Sequence, residues 1–134
     1  MTSTLKELTT TEMAQIIYTS WLELEKVTDP VTPWQPFDSL NNELKALEVA
    51  QVERIIKNIR LRPHELHQYF KVTGQKLIAD GALDENIIAR LNIYMIPFGG
   101  LGIVQKTRFR LQVQLTRILM RHNRNVTREE KRPG

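Results

Sequence analysis

Six cationic side chains in the last thirty residues are spaced in a way that could do chemistry. Lys106, Arg110, Arg117, Arg121, Arg124 and Arg128 follow one another at intervals of 4, 7, 4, 3 and 4. On a helix turning about 100° per residue they fall within roughly 80° of one another and make one cationic stripe. A row of guanidinium and ammonium groups addresses phosphates, so the pattern points to nucleic acid, RNA or DNA, or to a ribonucleoprotein. At about 1.5 Å per residue the stripe runs about 33 Å and spans several phosphates. Base reading needs Asn, Gln or Arg aimed at groove edges, and Gln112, Gln114 and Asn123 are the residues of that kind here.

The same segment carries two apolar lines. Val104, Leu111, Leu115, Ile118 and Leu119, with His122 at the end, share a face and are expected to rest on a core. Phe109, Val113 and Met120 lie on the far side of the stripe, where a helix buried on one side leaves them exposed. They define the alternative function: a protein adaptor or inhibitor that docks on an acidic partner, or a homodimer formed through the same helix. Membrane-surface binding would want a Trp or Tyr anchor on this helix, and it has none.

The remaining constellations do not assemble an active site. His64-Glu65-Leu66-His67 places two imidazoles at i, i+3, whereas the zinc-protease pattern needs four-residue spacing and a third ligand. Gly100 to Thr107 comes within one residue of the phosphate-binding loop G-x-x-x-x-G-K-T, but Gln105 stands where the second glycine must be, and no βαβ unit surrounds it. A glycine-rich turn entering a helix can still offer free N–H groups to one phosphate or carboxylate. The pairs Glu23/Glu25, Asp84/Glu85 and Glu129/Glu130 are adjacent or alternate, so none converges on one helix face. No serine or threonine sits in a nucleophile-elbow context. We expect a non-enzyme with no catalytic residues, no metal and no cofactor.

With 134 residues, 41% hydrophobic and 25% charged, the chain has the size and balance of one globular domain. The absence of Cys removes disulfides, thiolate zinc sites and cysteine nucleophiles, and fits a reducing compartment. No apolar run is long enough to span a membrane, and Met1 to Glu7 lacks a signal peptide's hydrophobic stretch, so a cytoplasmic protein is expected. The net charge of +4 conceals an asymmetry: residues 1–105 carry a net of −3 and residues 106–134 a net of +7. A basic arm on a slightly acidic body suits a polyanion or an acidic protein surface, although a merely solvated helix shows the same segregation.

Local signals divide the chain into four or five helices. Thr9 and Glu12 make a capping box for a first helix over about 10 to 26. Three prolines between Asp29 and Phe37 end it in a stiff loop pinned by Trp34 and Phe37, while Trp21 is in phase with the core. Asp38 or Ser39 is expected to cap a long second helix through Leu40, Leu47, Val52, Ile55 and Ile59. Pro63 opens a third, loosened by Gly74 and closed by Gly81. Asp84 caps a fourth reaching Pro97, though Leu91 to Phe98 also alternates as a short strand would. Phe98 to Gly102 turns into the last helix near Ile103, and Val126 onward is expected to fray because Asn123 and Asn125 weaken it.

Residues 14 to about 81 resemble the short helical repeats of the ryanodine-receptor type, which also occur in bacterial and phage proteins. The resemblance is carried by Trp21, by Pro36-Phe37-Asp38-Ser39-Leu40 opening a helix with Gln51 inside it, by Pro63-His64-Glu65-Leu66-His67 and by Ala79-Asp80-Gly81. It departs from the family at Ala82, where a tryptophan is usual, and the C-terminal third has no counterpart. It implies a helical interaction or ligand-binding module and brings no site residues with it. The expected architecture is therefore an all-α, single-domain bundle of four or five helices over residues 1–125, followed by a flexible basic tail over 126–134.

Overall fold

In a computed structural model of the chain, which describes residues 6–32 and 35–130, Thr9 occupies the cap that its sequence position requires. Its hydroxyl accepts the Glu12 N–H at 3.1 Å, and the Glu12 carboxylate accepts the Thr9 N–H at 3.0 Å. Two orphan amide groups are satisfied in this way, and α1 runs from Thr10 to Thr28. Lys6 against the carboxylate, then the Thr9 N–H, hold Glu12 down to about 2. A carboxyl lowered on folding stabilises above its ordinary value and loses that contribution as pH falls, so this cap weakens only as pH drops from about 4.5 toward 2.

Four more helices follow: α2 (Asn42–Lys57), α3 (Pro63–Ala79), α4 (Glu85–Asn92) and α5 (Ile103–Glu130), with single 3-10 turns at Phe37–Ser39 and Phe98–Gly100. There is no strand among the described residues, so the all-α expectation holds. α5 packs along α1, α2 and α3, which also pack in sequence on one another. Met13, Ile17 and Trp21 of α1, Val52 and Ile55 of α2, Leu66 and Phe70 of α3 and Phe109 of α5 meet in one buried cluster. Four aromatic rings tie its centre together, with Phe109 edge-on to His67, Phe70 and Tyr94 at centroid distances of 5.1, 5.4 and 5.8 Å.

Several boundaries differ from expectation. Asp38 and Ser39 form the 3-10 turn, and Asn41 caps α2 by accepting the Leu44 N–H at 2.9 Å. α4 stops at Asn92, and neither a helix to Pro97 nor a strand forms, because successive turns carry Tyr94 into the core. Gly74 is a contact point rather than a loosening: a Cβ there would lie 2.7 Å from Met95 Cε, so the bare backbone makes room for the turn after α4. The boundary expected near residue 125 is also displaced. α5 continues to Glu130, anchored by Val126, which is only 1% exposed. Residues 131–134 and the proposed Trp34 pin lie outside the described residues.

The largest correction concerns which way α5 faces. Phe109 is 0% exposed and Val113 is buried, while Met120 packs half-buried on the core, so the apolar line expected to await a partner is inside the chain. Ile118 of the expected seam is instead 53% exposed, and Leu111 and Leu115 are half-buried. The centre of the buried face is polar, formed by Arg108, Gln112 and Thr116. At about 100° per residue these three lie between the two apolar lines, so one broad buried face reads in sequence as two narrow ones. Phe109→Ala should therefore lower unfolding stability by about 3–5 kcal/mol in chemical denaturation. Ile118→Ala should stay within about 0.5 kcal/mol of the parent.

Candidate nucleic-acid interface

Rotating α5 so that Arg108, Gln112 and Thr116 point inward leaves the opposite side to the cations. Arg110, Arg121, Arg124 and Arg128 are exposed on that side, and Lys106 and Arg117 are half-buried at its edge. Among the described residues none of the six forms an ion pair. The stripe thus projects its charge into solvent along most of the helix, and such a field attracts polyanions at long range.

Two members are tethered. Lys106 Nζ sits 5.9 Å from the centroid of the Phe98 ring. Arg117 donates to the Ile59 carbonyl from Nε at 2.9 Å and from Nη2 at 2.5 Å, with a longer bond to the Leu61 carbonyl at 3.5 Å. It therefore clamps the end of α2 and the turn into α3 onto α5, holding one edge of the stripe in a fixed orientation.

Beside this clamp is a notch of about 210 Å³ bounded by Arg62, Pro63, Arg110, Gln114 and Arg117, with Leu61 and Val113 beneath. Three guanidinium-bearing residues from two elements converge there at the N-terminal end of α3, where the helix dipole also favours an anion. Glu65, in the first turn of α3, is committed to capping, accepting the Arg62 N–H at 3.0 Å. Arg62 was missed in sequence because it reads only as the residue before a helix-opening proline. Nothing local shows that it will stand beside Arg110.

Beneath the stripe lies Arg108, one of α5's cations that faces inward. It forms an ion pair with Glu48 of α2, 60 residues away, and both side chains are buried. Its guanidinium carbon lies 4.5 Å over Trp21, 4.8 Å over Phe70 and 5.0 Å over Tyr94. Burial opposes its charge, but the Glu48 carboxylate and the Tyr94 and Tyr18 phenols outweigh that and hold its pKa above the ordinary value. Burial also pushes both phenols up.

The other sequence candidates are structural or separate. Gln112 is buried, and Asn123 exchanges hydrogen bonds with the Leu8 backbone at 2.8 and 2.9 Å, which leaves Gln114 as the exposed residue of that trio. His67 is buried and its Nε2 donates to the Tyr94 carbonyl at 2.8 Å, and burial lowers its pKa, so the neutral ring is favoured. His64 and His67 both approach the Phe98 ring, and His122 donates to the Lys6 carbonyl at 2.7 Å. Among the described residues no three His, Asp or Glu side chains gather as a metal site would need, and no helix is long and apolar enough to cross a membrane.

No family model, curated protein or solved structure matches this chain. The tethered and untethered arginines should separate in stability measurements. Arg117→Ala should lower the unfolding free energy by about 1 kcal/mol through the lost carbonyl bonds, whereas Arg121→Ala should change it by less than about 0.5 kcal/mol in the same denaturant titration.

Proposed function

We propose that this protein is a non-enzymatic module that binds nucleic acid, alone or within a ribonucleoprotein, through the outer face of α5. The observation that carries the reading is the line of Lys106, Arg110, Arg121, Arg124 and Arg128 with no ion pair among the described residues, joined at its side by Arg62 and the clamped Arg117. Phosphates are the ligands such a line suits: the side chains are spread along about 33 Å of one rigid helix. Each contact releases condensed counterions from the nucleic acid.

The same face carries no Phe, Tyr or Trp, so it offers no platform on which unpaired bases could stack. Of Gln112, Gln114 and Asn123, Gln114 is the exposed one. The binding is accordingly backbone-directed and weakly selective for sequence, with the notch between Arg62, Arg110 and Arg117 as the seat for one phosphate. The resemblance to ryanodine-receptor-type repeats is compatible with a helical binding module.

An acidic protein surface would meet the same cations. The hydrophobic line that would have added affinity and register to such a complex, Phe109, Val113 and Met120, is taken up by this chain's own core. Nucleic acid is therefore the reading we prefer.

The test is a titration against labelled single- and double-stranded nucleic acid at several salt concentrations. Binding should weaken with salt along a log–log slope of about −4 for duplex, as expected when four or five phosphates are neutralised. Arg110→Glu/Arg121→Glu/Arg124→Glu should abolish it without unfolding the protein, and Arg62→Glu should weaken it and flatten the slope by about one. Absence of binding at low salt would overturn the proposal.

A further inference from the structure

On the side of Arg108 away from the stripe is a cavity of about 380 Å³ between α1, α2, α4 and the start of α5. That volume falls at the lower end of the range of about 300–1,000 Å³ typical of small-molecule sites, and its walls are largely apolar and aromatic. Tyr18, Trp21, Phe70 and Tyr94 supply rings, and Leu44 and Ile87 supply aliphatic wall. Several of the polar groups in the lining are already committed.

Glu48 is held by Arg108, and Arg108 has the faces of three rings over it. The Tyr18 hydroxyl donates to the Gln35 carbonyl at 2.9 Å. Asp29 accepts hydrogen bonds from the Val31 and Thr32 backbone in its own turn. The remaining acid is Glu25, in the last turns of α1. It is only 6% exposed, it lines the cavity, and it has no ion-pair partner among the described residues. Burial pushes its carboxyl up, with Arg108 opposing. The Arg108 charge and the Thr28 hydroxyl offset only part of that cost, and a buried carboxylate with no direct ion pair is a costly arrangement that an incoming positive charge would relieve.

The charge of the whole lining agrees. Glu25, Asp29 and Glu48 face Arg90 and Arg108, leaving one negative charge over. We propose that this cavity binds a small organic monocation, an ammonium group on a compact apolar or aromatic body, with the ammonium paired to Glu25 and the body against Tyr18, Trp21 and Leu44. The site is separate from the α5 stripe and does not depend on what the stripe binds. It shares Trp21 with the Arg108 cage but pairs the ammonium with Glu25 rather than Glu48, so the Arg108–Glu48 pair stays intact when the site is filled.

The test uses 2-phenylethylammonium as probe and 2-phenylethanol as its uncharged counterpart, followed by amide chemical-shift titration of the full chain. The amine should give saturable shifts centred on Trp21, Glu25 and Leu44, and the alcohol none that saturate over the same range. Glu25→Gln should weaken amine binding by at least about tenfold, while Glu25→Asp, which keeps the charge, should retain part of it. Glu25→Gln is expected to fold, since it removes a buried charge. Should it fail to fold, the comparison of amine with alcohol on the parent protein still decides. Equal response to amine and alcohol, unchanged affinity in Glu25→Gln, or no saturable amine binding would each overturn the proposal.

Discussion

A guanidinium group with almost no access to water sits at the centre of this protein, and the rest of the bundle is arranged to tolerate it. Arg108 enters from α5 and meets three aromatic faces and the Glu48 carboxylate. Removing such a charge from water is expensive by several kcal/mol, and only good geometry with an opposite charge offsets it. The rings add attraction through their negative faces, each of the order of 0.5–2 kcal/mol according to how far it is desolvated. Trp21 comes from α1, Glu48 from α2, Phe70 from α3, and Tyr94 from the turn after α4. One side chain of α5 thus contacts residues from every other part of the fold.

That demand fixes the rotation of α5. Once Arg108 points inward, Gln112 and Thr116 follow it into the interface, and Phe109 and Val113 fill the core beside them. The cations at Arg110, Arg121, Arg124 and Arg128 are then carried to the far side, where no described carboxylate pairs with them. Arg117 reinforces the setting from the edge through the Ile59 and Leu61 carbonyls. The cationic surface proposed to bind phosphates and the carboxylate-lined cavity proposed to bind an ammonium group are therefore two consequences of one buried ion pair. One lies outside it and one lies beneath it.

Much of this organisation is written locally in the chain. Thr9 with Glu12, Pro63, Asp84 and the Phe98 to Gly102 turn mark helix ends through hydrogen bonds to immediate neighbours, and those ends appear where expected. The cationic stripe is legible for the same reason, since its alignment depends only on helical pitch. What periodicity could not convey was the orientation of α5, because an arginine, a glutamine and a threonine occupy the middle of its buried face. Their burial is decided by partners on other helices, above all Glu48, which itself reads as one more surface acid on α2. Asn123 misleads in the same way: it weakens helix propensity, yet two bonds to the Leu8 backbone help to hold the end of α5 in place. Arg62 and Glu25 belong to sites made only when separate elements meet.

Whether Arg108 and Glu48 act as one unit is tested directly by a double-mutant cycle of Arg108→Met and Glu48→Leu measured by chemical denaturation. Each single change should lower stability by about 3–5 kcal/mol, because it strands the other charge inside the bundle. The double change should recover most of that loss, giving a coupling energy of more than about 2 kcal/mol. Single effects below about 1 kcal/mol that simply add would show two independent, solvated side chains and contradict the orientation of α5 on which both proposed sites depend.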